Sequence, residues 1–155
     1  MPKWNSNGSL DLELGLTRLF GQADLREDGL VSGWATPEDQ HTWNDGIDAV
    51  MTVHTSAAGS ACRLTFEGEP FLPVDVGMQD IVLFVNGFRI GFWRLREAKT
   101  YALSAIIEPE QFFSRDEYSL LRFAWHIPRS VRPADVGLGS DTRELGFCFR
   151  SLTLE

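Results

Sequence analysis

The feature that most limits the fold is a pair of apolar runs joined by Asn-Gly. Ile81-Val82-Leu83-Phe84-Val85 is followed by Asn86-Gly87 and then by Phe88-Arg89-Ile90-Gly91-Phe92-Trp93. Asn and Gly tolerate the positive φ angles of a type I′ turn, whose twist suits two antiparallel strands. The segment predicts a tight β-hairpin. In regular alternation Phe88, Ile90 and Phe92 share one face, expected in the core. Arg89, Gly91 and Trp93 share the other. Trp93, between Arg89 and Arg94-Leu95-Arg96, then covers the sheet or joins a binding surface.

The same period of two runs through much of the chain. Ile47, Ala49, Met51 and Val53 alternate with Asp48, Val50, Thr52 and His54, which places His54 on a polar face. Cys62, Leu64 and Phe66 alternate with Arg63, Thr65 and Glu67. Such alternation sends one set of side chains inward and the other outward. Further strands are expected at Leu10 to Phe20, Leu30 to Trp34, Tyr101 to Ile107, Ser119 to Trp125 and Leu145 to Leu154, separated by Gly, Pro, Asp and Ser clusters. About nine short strands with such punctuation predict an all-β fold, an antiparallel two-sheet sandwich of jelly-roll-like form. Single helical turns are expected at Pro109 to Phe113 and at Pro133 to Val136, the second ended by Gly137. A polar, flexible segment 1–9 precedes one domain over 10–155.

Charge and cysteines narrow the function classes. Fourteen Lys and Arg against 22 Asp and Glu leave a net charge of -8 over 155 residues. That argues against nucleic acid and against an anionic membrane surface, because clustered cations are missing. No apolar run reaches the ~20 residues of a membrane span, so no membrane insertion is expected. No signal peptide is visible at the N-terminus, and the two cysteines, Cys62 and Cys148, read as free thiols on strands rather than as a bridge. Together these features predict a cytoplasmic setting. There is no GxSxG, Walker or HExxH motif and no CxxC pair. His41, His54 and His126 are scattered. The chain implies no cofactor; a structural calcium would fall to Asp45, Asp135 and Asp141, which form no motif.

The unusual segment is Gly33-Trp34-Ala35-Thr36-Pro37-Glu38-Asp39-Gln40-His41-Thr42-Trp43-Asn44-Asp45-Gly46. It joins two predicted strands and holds two Trp, three carboxylates and a His. Pro37 pushes Thr36 away from helix, so an ordered loop is expected. Indole faces beside acids and amides suit a sugar: its C–H faces stack on the ring and its hydroxyls bond to carboxylate and amide. A Trp in such a loop more commonly plugs the end of a sandwich, its N–H bonded to a loop carboxylate. Both roles stay open for Trp34 and Trp43. Glu38 and Asp45 could also serve as a glycosidase pair if the right distance separates them.

The ordered set Gly33-Trp34-x-x-Pro37-Glu38, Trp43-x-Asp45-Gly46, the Asn-Gly hairpin, and Ser140-Asp141-x-Arg143-x-Leu145-Gly146 resembles an accessory β-sandwich module associated with bacterial glycosyltransferases of surface-polysaccharide assembly. The resemblance covers about Leu30 to Leu154. Where that family has a Trp or Gly pair after Pro-Glu, this chain has Asp39-Gln40-His41. The resemblance implies a jelly-roll-like sandwich, a link to glycan biology, and a ligand surface of Trp34, Glu38, Trp43, Asp45, Asn86, Asp141 and Arg143. Asp141 and Arg143, two apart, would share a strand face and either clamp the loop or form a structural ion pair. The function expected is a non-catalytic, carbohydrate-associated module that recognises a glycan or positions a glycosyltransferase. The alternatives are a protein-protein or structural module, including a homo-oligomer, and a small glycan-active enzyme.

Overall fold

The computed structural model describes residues 9–23, 29–56, 59–115 and 118–155. The expected polar segment 1–9 therefore lies, but for Ser9, outside the described residues. Twelve strands are described: β1 (Leu10–Asp11), β2 (Thr17–Leu19), β3 (Leu30–Ser32), β4 (Thr42–Trp43), β5 (Asp48–Thr55), β6 (Cys62–Pro70), β7 (Gln79–Val85), β8 (Phe88–Leu95), β9 (Tyr101–Ile107), β10 (Phe113–Arg115), β11 (Tyr118–His126) and β12 (Phe147–Leu154). They form two facing sheets. The larger runs β1-β5-β11-β7-β8, with β3 also on β5 and β10 on β11. The smaller runs β2-β12-β6-β9, with β4 also on β12. All pairs are antiparallel except the short β1–β5 pair. The expected two-sheet sandwich is the observed fold. Among the described residues no helix is long and apolar enough to cross a membrane.

The core forms where inward positions of the two sheets meet. On β6, Cys62, Leu64 and Phe66 are buried, while Arg63 and Glu67 are exposed. Phe66, Phe123, Trp125, Phe147 and Phe149 are fully buried and form one aromatic cluster. Phe149 meets Phe147 at 4.9 Å and Trp125 at 5.1 Å, both edge-on. Edge-on rings set the positive rim of one against the negative face of another. Each large side chain buried this way contributes about 1.5–3 kcal/mol.

Four expectations change. Leu10 to Phe20 is two strands, β1 and β2, in different sheets, because Gly15 takes a left-handed φ of 80° and turns the chain between them. His54 is 1% exposed rather than on a wet face, with the Tyr118 ring edge-on to it and Asp11 3.6 Å from Nε2. Burial depresses its pKa, since charging a shielded imidazole costs hydration. Ile47 is outside β5 and 42% exposed. The hairpin changes most. Asn86 (φ 48°) and Gly87 (φ 87°) make the expected turn. A bulge at Ile90 then shifts the register, so that Gly91 pairs with Leu83 and Arg89 with Phe84. Trp93 goes inward onto Phe66 at 5.2 Å, above a glycine whose Cβ would strike its ring. Arg89, Phe92 and Arg94 consequently share the outer face.

The 3-10 turns at Pro109–Gln111 and Pro133–Val136 stand where expected, and Gly137 caps the second with φ 76°. Cys62 and Cys148 are both free and buried. Cys148 lies level with Glu69 on β6, seven positions from Cys62, or roughly 23 Å along the strand. A disulfide spans far less.

Candidate functional site

The tryptophan loop bends back on itself. Gly33 has φ 78°, and a Cβ there would strike the Asp48 carbonyl, so only glycine lets the loop leave β3 against β5. Trp34 then bridges to Asn44, and the Ala35 N–H donates to the Trp43 carbonyl. Asn44 is fully buried: its Oδ1 accepts from the Gly146 and Phe147 N–H groups at 2.8 Å, and its Nδ2 donates to the Gly46 carbonyl and Ser130 Oγ. Thr42, also buried, donates to the Phe20 carbonyl at 2.6 Å. These two side chains join the loop to the start of β12 and to the end of β2.

The two indoles part company within this frame. Trp34 is half-buried, donates its N–H to the Val50 carbonyl at 2.7 Å, and packs on Phe149, Phe20 and Trp125. It plugs the sandwich. Trp43 faces the other way. Its cross-strand partner is Cys148, an outward position of β12. Its ring meets Phe71, the first residue past β6, at 6.1 Å, and His41 at 6.3 Å. A ring that starts on β4 and meets one beyond β6 lies across β12, and so covers Cys148. Burial pushes the Cys148 thiol up to about 12, which makes it inert rather than nucleophilic.

A relay of charges borders this aromatic row. Arg143 donates to both carboxylate oxygens of Asp141, at 3.0 and 2.7 Å, and reaches Glu38 Oε2 at 3.5 Å. His41 Nε2 lies 3.4 Å from that same oxygen. The Arg143 hydrogen bonds hold the Asp141 carboxyl at about 2. Both residues sit in the loop before β12, so their spacing of two does not act through a strand face, and the Arg143 N–H also donates to Asp141. Asp45 accepts from the Glu144 N–H at 2.9 Å.

Six of the seven expected site residues thus gather at one end of the sandwich. Asn86 does not. It sits past the opposite end of β7, roughly 23 Å from Gln79. Its amide bonds to the Gln111 and Leu120 carbonyls and to the Arg122 N–H, which satisfies the hairpin turn. Asp45, Asp135 and Asp141 make no calcium cage: among the described residues no three His, Cys, Asp or Glu side chains form a metal-holding group.

Beside the loop, the outer face of the smaller sheet opens into a cleft of about 410 Å³ lined by Leu19, Gly21, Ala23, Asp39, Gln40, Glu67, Arg150 and Ser151. Arg150 lies 3.7 Å from Glu69, and Ser151 donates to Glu67 at 3.2 Å. Paired hydroxyls continue the face: Thr17 with Thr153, and Thr65 with Ser104. The expected set omitted these cleft residues. Glu67 was legible as an outward position, but its neighbours belong to other strands and to the loop.

No protein-family model matches the chain. No curated protein matches it in sequence. Among the solved structures similar in shape are carbohydrate-binding modules. One is a family 35 carbohydrate binding module from an environmental isolate, at 11% identity over 88% of this chain and 91% of that one, TM-score 0.48. Another is the carbohydrate-binding module CBM36 in complex with calcium and xylotriose, at 11% identity, 82% and 87% coverage, TM-score 0.46. A third is the EclA C-terminal domain, a sugar-binding protein, at 15% identity and TM-score 0.43, where the match covers 68% of this chain and 64% of that domain.

Proposed function

We propose that this sandwich is a non-catalytic glycan-binding module that takes a neutral oligosaccharide along the outer face of its smaller sheet. The observation that carries the reading is the cleft beside Trp43. Asp39, Glu67, Gln40, Arg150 and Ser151 line it with acceptors and donors around the apolar Leu19 and Ala23. Sugar hydroxyls need such mixed partners. Pyranose C–H faces need a ring; none lines the cleft itself, and the aromatic row of His41, Trp43 and Phe71 adjoins it along β12, where Trp43 pairs with Cys148, two positions before Arg150. Carboxylates outnumber the single guanidinium in the cleft, which favours uncharged sugars. Glu38 and Asp45, the pair a glycosidase would have used, are engaged by Arg143 and the Glu144 N–H and are not among the cleft-lining residues. The setting we propose, on the motif resemblance, is polysaccharide assembly beside a bacterial glycosyltransferase.

The test is titration of the chain with a panel of neutral oligosaccharides, read by tryptophan fluorescence and calorimetry. At least one should bind, and Trp43→Ala and Glu67→Gln should each weaken it about tenfold while the melting temperature stays within a few degrees. A panel without any response, or binding indifferent to both changes, refutes the reading.

A further inference from the structure

The opposite outer face, on the larger sheet, has a different chemistry. Its rows follow from the register. Asp80 pairs with Arg94, His126 with Val82 and Phe92, and Ala124 with Phe84 and Arg89. Arg122 stands two positions along β11, facing the same way as Ala124. Arg129 joins the end of the face through Asp80, at 3.2 Å. In a chain of net charge -8, four arginines share this face: Arg94 and Arg129 at the Asp80 end, Arg89 and Arg122 further along. Asp80 is held by Arg94 and Arg129, and Asp48 by His126. Arg89 and Arg122 make no ion pair among the described residues. The Arg89 and Arg94 guanidiniums lie 5.8 and 5.9 Å from the centre of the Phe92 ring, which is 45% exposed. The Ile90 bulge creates this row, by turning Arg89 to the side of Phe92.

We infer that this face is a second carbohydrate surface, for an acidic polysaccharide that carries carboxylates on its sugar rings. One ring stacks its C–H face on Phe92 while its neighbours' carboxylates reach Arg89 and Arg122 as planar, bidentate pairs. A linear chain of charged rings fits cations set across the sheet, from Arg89 on β8 over β7 to Arg122 on β11. A protein partner fits less well. Val82, Phe84 and Ala124 are already half-buried, and the two open rings, Phe92 level with His126 and Phe113 level with Leu120, stand six positions apart along β11, too far to make one dry centre of a protein interface. The inference rests on the glycan reading above but uses residues that reading does not.

The experiment is affinity electrophoresis of the full chain through gels holding polygalacturonate, with dextran sulfate as a plain polyanion and melting curves as the folding control. The protein should be retarded by polygalacturonate, more strongly than by dextran sulfate, and less so as salt rises. Arg89→Ala with Arg122→Ala should cut the retardation at least tenfold, Phe92→Ala about threefold, and Trp43→Ala not at all. No retardation, equal retardation by dextran sulfate, or loss on Trp43→Ala overturns the inference. So does a stable dimer abolished by the double Arg change, which would assign the face to a second copy. Failure of the neutral-sugar reading alone would leave polygalacturonate retardation intact.

Discussion

Trp34 and Trp43 belong to one loop, are both half-buried, and do opposite work. Trp34 follows the left-handed step at Gly33 and drops between the sheets, where Phe149, Phe20 and Trp125 meet it and the Val50 carbonyl takes its N–H. Trp43 sits on a two-residue strand beside Cys148 and lies across the outside of the smaller sheet. The difference teaches that an indole's role is set by the face its local strand presents, not by its neighbours in sequence. The polar residues between them do not distinguish the two positions.

That contrast can be broken by substitution. Trp34→Ala should cost the most, about 3 kcal/mol, because it opens a cavity among aromatic rings and orphans a carbonyl; a urea midpoint that barely moves would make Trp34 a surface residue after all. Next comes Asn44→Ala. It strips two buried N–H groups of their acceptor, so about 2 kcal/mol should be lost, and the cleft should bind sugar more weakly as the loop loosens. Unchanged denaturation would show that the loop holds without its amide. The smallest effect belongs to the charge relay that borders Trp43. Asp141 titrates at about 2 in the folded chain, below its ordinary value of 3.8, because Arg143 bonds to its charged form. Its contribution is fully present above that ordinary value and is lost as pH falls through about 2. Stability of the wild type should therefore exceed that of Asp141→Asn near neutrality and converge with it in acid. A gap that stays constant across that range would deny the pairing.

Much of the sandwich was legible. Strict alternation in Cys62 to Phe66 predicted which side chains β6 buries, and Asn86-Gly87 predicted its turn through φ preferences alone. Legibility failed where a single local event resets parity. The Ile90 bulge exchanged Trp93 and Phe92 between core and surface, and the turn at Gly15 divided one apolar run between two sheets. His54 failed for another reason: neighbours distant in sequence cover the face it occupies. Of the candidate site, the loop and its Asp141–Arg143 partner were readable as an ordered set. Asn44 was not, since nothing in its own neighbourhood separates a buried, four-bonded amide from a wet one.

By itself the amino-acid order determined the class of fold, through the two-residue period of its strands and the backbone freedom of its Asn-Gly turn, both of which are local properties. Tertiary structure alone decided what the two outer faces became. Glu67 and Arg150 meet the loop's Asp39 and Gln40, and Arg89 on β8 shares a face with Arg122 on β11, only because strands far apart in the chain lie in one sheet. Sheet faces are assembled by register, and register depends on bulges and pairings that no single segment encodes.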